Sequence, residues 1–173
     1  TLFTGVRIGE LCALQWGSIS LREKTIRIAA TLQRLRDTDE AGTTRTRIVI
    51  GSPKSDTSVR TIPMTAYTAE LCGKMHPGSA TAYVLTGTDA YMEPRALQYR
   101  MEKYTRDCGL EGVHFHTLRH TFATRAVEVG FEIKSLSEVL GHANTTITLD
   151  RYVHSSMELK RTNINKLSAI GLG

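Results

Sequence analysis

Apolar positions recur along this chain with two different periods. Between Val6 and Trp16, Ile8, Leu11 and Cys12 fall on one helical face, just after the Thr4-Gly5 break. The pattern then becomes β-like. Lys24–Ala30, Arg45–Ile50 and Ser58–Pro63 alternate, carry β-branched residues and predict strands. Arg34–Thr44 is polar, contains Asp-Glu-Ala-Gly and predicts the hairpin tip between the first two strands. Gly51-Ser-Pro-Lys-Ser-Asp predicts a tight turn between the second and third. Together the strands predict one small antiparallel sheet.

Helical spacing returns after Pro63. Thr65 can cap a helix that ends near Pro77-Gly78, and Val84-Leu85 is a short extended piece. Leu97, Met101, Tyr104 and Cys108 predict a helix ending at Gly109, and Leu118, Phe122, Ala126 and Val129 another ending at Gly130. Ile133–Leu140 predicts a third, stopped by Gly141. Thr145 to about Tyr152 predicts a short helix, and Ser156–Leu167 a last amphipathic one with Ile164 and Leu167 on its apolar side. The expected fold is α+β, mainly helical, with a small three-stranded antiparallel sheet. At 173 residues the chain can bury one real core, so residues 1–173 are expected to form a single domain. A helix that opens so close to the chain start reads as part of a longer protein whose upstream domain is absent here.

Composition narrows the class. No apolar run approaches the roughly 20 residues that cross a bilayer. The start shows no basic and apolar signal-peptide pattern, so a cytoplasmic location without membrane attachment is expected. Cys12, Cys72 and Cys108 are odd in number and far apart, which argues against a disulfide framework or a zinc site. The net charge of +5 favours a polyanionic partner.

Five short pieces carry candidate chemistry. His116-Thr-Leu-Arg119-His120 opens a helix, with His116 and Arg119 sharing a face and Leu118 pointing to the core. His116 and His120 also stand at the i, i+4 spacing of helical zinc pairs, but no supporting ligand lies nearby. His142 follows Gly141 at a helix end, where a His usually caps or meets the helix dipole. Tyr152 stands in Leu-Asp-Arg-Tyr-Val-His. Arg7 lies in the first turn of the opening helix, where Glu10 could pair with it. Lys54 lies in the turn between strands. Taken singly, each is an ordinary surface or half-buried residue.

The ordered set is more specific. Thr4-Gly5-x-Arg7-x-x-Glu10-Leu11, a hairpin Lys, His-x-x-Arg-His, Leu-Gly-His and then Tyr resembles the tyrosine recombinases, also called the phage integrase family. The resemblance runs from Thr4 to about His154 and is nearest to integrases of phages and conjugative transposons. Gly17-Ser18 departs from it, since the family often has Asp after the Trp. The resemblance implies a catalytic domain that cleaves and rejoins DNA strands through a covalent 3′-phosphotyrosine. Residues 1–173 would be that domain, without the family's N-terminal core-binding domain.

It also implies roles. Tyr152 would be the nucleophile, and Arg7 and Arg119 would grip the nonbridging oxygens. His116 would be the base, Lys54 the general acid, and His142 a hydrogen-bond donor to the phosphate. No cofactor or metal is implied. Double-stranded DNA is the expected partner, with Arg95, at a helix start, as a backbone contact. A second partner is self, as a tetrameric synapse in the full-length protein with possible exchange of the C-terminal helix. The alternatives are a DNA-binding regulator with a vestigial site and a type IB topoisomerase-like relaxation activity.

Overall fold

The computed structural model describes residues 1–38, 44–52 and 58–152, together with Arg161, Ile164 and Asn165. The chain opens with α1 (Ile8–Ala13) and a 3-10 turn (Trp16–Ser18). Strands β1 (Ile19–Ser20), β2 (Thr25–Ile28), β3 (Thr31–Thr38), β4 (Thr44–Gly51) and β5 (Arg60–Pro63) follow. It continues through α2 (Ala66–Met75), α3 (Pro94–Asp107), α4 (Phe115–Glu128), α5 (Ile133–Leu140) and α6 (Thr145–Tyr152). Among the described residues no helix is long and apolar enough to cross a membrane. The expected helix over Ser156–Leu167 lies outside the described residues, apart from those three positions.

The α+β class and the three-stranded antiparallel sheet are as expected, but the strand pairing is not. The sheet runs β1-β2-β5, with Ile26 opposite both Ile19 and Ile62. The expected middle strand, Arg45–Ile50, belongs to β4 and pairs with β3 from Thr31↔Gly51 to Thr38↔Thr44. β3 therefore runs through Arg34–Thr38, where the polar composition predicted a loop tip. Eight cross-strand pairs hold this ribbon together through its backbone, which composition does not report. Its base is fixed by Leu32, which packs with Cys12 and Ala13 of α1, with Ile48 and Leu97 beside it.

Two further clusters complete the core. Ile26, Ile28 and Ile62 of the sheet, with Met64 just after β5, pack with Val6 and Leu14. Ala123 and Ala126 of α4 meet Leu136 and Leu140 of α5 and Tyr152 of α6. The small alanines let the three helices approach closely.

Two helical stripes differ from expectation. On α3, Leu97 and Met101 are half-buried but Tyr104 and Cys108 are exposed. On α4 the buried row is Phe115, Arg119, Ala123 and Ala126; Leu118 is only half-buried and Val129 is 80% exposed. Arg119, and not Leu118, occupies the core-facing row at 2% exposure. A buried guanidinium survives there only with hydrogen-bond partners, and these define the site.

Candidate active site

The site is built where the start of α1, strand β5 and the C-terminus of α5 meet. Arg7 is the N-cap of α1, in extended backbone (φ −76°, ψ 153°), and so stands just before the first turn instead of within it. Glu10 accepts hydrogen bonds from the Arg7 backbone N–H and from Arg7 Nη1, both at 2.8 Å. Its carboxylate also receives Nη1 and Nη2 of Arg60, each at 2.9 Å. Arg60 donates through Nε to the Val139 carbonyl at 2.6 Å and through Nη1 to the Ser58 carbonyl at 3.0 Å. Burial alone would raise the Glu10 carboxyl. The hydrogen bonds and charge of Arg60, followed by the bonds from Arg7, outweigh it and hold the carboxyl below its ordinary range.

The end of α5 supplies the carbonyls that gather the arginines. A helix C-terminus leaves its last C=O groups without intrahelical partners. Arg119 Nη2 donates to the Leu140 carbonyl at 2.8 Å, and Arg7 Nη2 donates to the neighbouring Gly141 carbonyl at 2.8 Å. Adjacent carbonyls thus bring two guanidiniums to one turn. Gly141 makes that turn possible: its φ is +63°, and a Cβ there would stand 2.8 Å from Arg60 Nη1. Arg119 Nη1 reaches the Gly5 carbonyl at 2.6 Å. Gly5 also has positive φ, and a Cβ there would meet Phe122 and Leu140 at 2.7 and 2.8 Å.

Arg119 also donates from Nη2 to His142 Nε2 at 2.9 Å. A guanidinium has no acceptor, so Nε2 accepts and the ring proton is assigned to Nδ1, which donates to the buried Thr148 Oγ1 at 2.8 Å. Burial first, and the nearby charge of Arg7 second, push the Arg119 guanidinium down to about 10; Arg60 acts in the same direction. Among the described residues, two guanidiniums contact the Glu10 carboxylate and a third, Arg119, lies near enough to feel its charge. The site has an excess of positive charge in a partly desolvated place, the environment an anion would relieve.

Tyr152, at the C-terminus of α6, is 8% exposed. Its Oη lies 2.9 Å from His120 Nδ1. His116, exposed one turn earlier on α4, stacks edge to face on His120 with ring centroids 4.5 Å apart. Five of the six expected site residues therefore form one connected array: Arg7, Arg119, His142, Tyr152 and, through His120, His116. Lys54 lies outside the described residues. Sequence reasoning missed His120 and Arg60. His120 was visible only as the last member of His-x-x-Arg-His, and Arg60 only as one charge in a short strand. Among the described residues no cluster of three or more His, Cys, Asp or Glu could hold a metal ion.

Arg95 is the second residue of α3 and is exposed. With Arg34, Arg36 and Thr46 of the ribbon it lines a basic concavity. Arg34 is held there by Glu93 and by Thr46 Oγ1 at 2.8 Å.

The chain resembles proteins of known kind over nearly all its length. It is 28% identical to a XerC-like tyrosine recombinase of Caldanaerobacter subterraneus, over 95% of this chain and 46% of that protein. It is likewise 28% identical to the transposase of transposon Tn916 of Enterococcus faecalis, over 95% of this chain and 44% of that one. A solved structure of the Tn1549 transposon integrase in complex with circular intermediate DNA has a TM-score of 0.71 at 26% identity, covering 96% of this chain and 57% of that one. The chain thus spans about half the length of the curated relatives it matches. Residues 1–158 match the Phage integrase family, and on that match, with the fold and the array beneath it, the chain belongs to the tyrosine recombinases of that family.

Proposed function

We propose that residues 1–173 are the catalytic domain of a site-specific DNA recombinase that cleaves and rejoins strands through a 3′-phosphotyrosine. One observation carries this reading: the arginine pair on adjacent carbonyls beside a tyrosine, with more positive than negative charge among them. A phosphodiester repels nucleophiles by its charge, and attack places further charge on the nonbridging oxygens. Arg7 and Arg119 are guanidiniums fixed in place by protein carbonyls, so they stabilise that charge without reorganising. Tyr152 attacks phosphorus and the 5′-oxygen leaves. Lys54 protonates that oxygen, His116 serves the proton path of the tyrosine, and His142 supports the phosphate. His142 Nε2 accepts from Arg119 in this structure, so its donation to a phosphate requires a second ring proton. The phosphotyrosine conserves the bond energy, and a 5′-hydroxyl reseals the strand.

Double-stranded DNA is the partner, held mainly by its backbone, with Arg95 and the ribbon arginines as phosphate contacts. The relatives named for transposons favour integration or excision of a mobile element; a cytoplasmic location and a four-copy synapse with exchange of the C-terminal segment belong to the same proposal. The test is a nicked suicide substrate, from which a cleaved strand cannot be resealed. The expected result is a protein–DNA adduct that disappears in Tyr152→Phe while DNA binding persists. An adduct retained by that variant would remove Tyr152 as the nucleophile.

A further inference from the structure

The hydroxyl of Tyr152 meets a histidine other than the one expected to be its base. Oη lies 2.9 Å from Nδ1 of His120, with the rings 5.7 Å apart and inclined by 54°. A phenol facing a neutral imidazole nitrogen donates, which assigns the His120 ring proton to Nε2. The tyrosine ring is fixed by Ala123, Ala126, Leu136 and Leu140. His116 reaches this pair through its edge-to-face contact with the His120 ring (89° between planes).

We infer that His120 Nδ1 takes the Tyr152 proton during attack, and that His116 is a positioning residue acting through the His120 ring; the inference rests on the recombinase reading above. A general base must lie within about 2.6–3.2 Å of the group it deprotonates, and His120 does. A neutral phenol is too weak an acid to give its proton to a neutral imidazole before reaction. The proton therefore moves as the bond to phosphorus forms and Oη becomes acidic. In cleavage the Oη–P bond forms, the P–O5′ bond breaks, and Nδ1 gains the phenol proton. The 5′-oxygen takes its proton from the acid proposed as Lys54. In resealing the 5′-hydroxyl attacks and returns its proton to the amine left by that acid, the Oη–P bond breaks, and the phenolate recovers the proton from Nδ1. Among the described residues, ionisable groups beside the pair include His116 on the same helix and Arg119, whose charge interacts with Tyr152.

The test measures single-turnover adduct formation on the nicked substrate between pH 6 and 9. His120→Asn keeps an acceptor near the Nδ1 position but cannot take up a proton. It should bind DNA as the parent does, lose on the order of 10²-fold in rate at pH 7, and speed up tenfold per pH unit as the phenol ionises unaided. The parent should level off above the imidazole pKa, and His116→Asn should keep that profile with a smaller loss. Parent-like rate and profile in His120→Asn would overturn the inference, as would a tenfold-per-unit climb in His116→Asn alone. No adduct from the parent under any condition would overturn the recombinase reading itself. Nitrogen NMR of the free protein gives a second measure: the Nε2–H tautomer of His120 is expected, and an Nδ1–H tautomer would defeat the assignment.

Discussion

The guanidinium of Arg60 meets both carboxylate oxygens of Glu10 at 2.9 Å, fifty residues apart in sequence and both nearly buried. Glu10 holds Arg7, and Arg60 holds the end of α5. Removing one member of a buried pair leaves the other charge unmatched, which typically costs about 3–5 kcal/mol. Arg60→Met is expected to fall in that range in urea unfolding. Arg60→Lys should recover only part of it, since an ammonium cannot form the same two-pronged pair.

Glu10 gives the fold an acid-sensitive component. Its folded-state pKa lies below the ordinary value of 4.5, so its contribution is fully present above that value and is lost as pH falls through the folded pKa. Stability measured from pH 6 down to pH 2 should therefore drop below about 4.5. Glu10→Gln should be less stable at neutral pH and show a shallower drop, by at most one proton's worth of slope.

Gly141 carries two constraints at once, a positive φ and the close approach of Arg60. Gly141→Ala should cost more than the ~1 kcal/mol of a left-handed residue alone, because the Arg60 guanidinium must also shift. Adduct formation should fall with it, since the carbonyl that holds Arg7 belongs to this residue. Thermal unfolding and the nicked substrate read the two effects separately.

Arg119 predicts an anion effect. Burial and the charge of Arg7 hold its folded pKa, about 10, below its ordinary value, so keeping it charged at neutral pH costs stability, and that cost begins to fall only as pH rises past 10. An oxyanion at the site relieves the cost without deprotonation. Sulfate at ten times its dissociation constant should stabilise the protein by about 1.4 kcal/mol, compared with chloride at equal ionic strength. Arg7→Ala should abolish most of this difference in the melting curve.

Much of the framework was legible because single residues dictate it. Thr65 caps α2, accepting from Thr68 N at 3.1 Å, and Gly141 stops α5 where a left-handed residue was needed. The ordered arginines, histidines and tyrosine marked residues that the structure brings close together. The phase of α4 was not legible, because the pattern placed Leu118 inward and could not count the buried carbonyls of Gly5 and Leu140 that draw in Arg119. The β3–β4 ribbon was hidden for a related reason: eight backbone pairs hold a strand whose side chains read as a loop. Tyr152 Oη meets His120, one of two histidines one turn apart, and spacing does not say which of them faces α6.

The β2–β5 pairing has an evolutionary consequence. These strands are neighbours in the sheet, yet the whole β3–β4 ribbon is spliced between them in sequence. Beyond the anchor at Leu32, the ribbon can lengthen or shorten in two-residue steps without changing any register in the central sheet. Each doubling of such an excursion adds only about 0.6 kcal/mol of closure entropy. Here a lineage can rewrite how a basic arm reaches outward while the arginine cluster beneath it stays fixed.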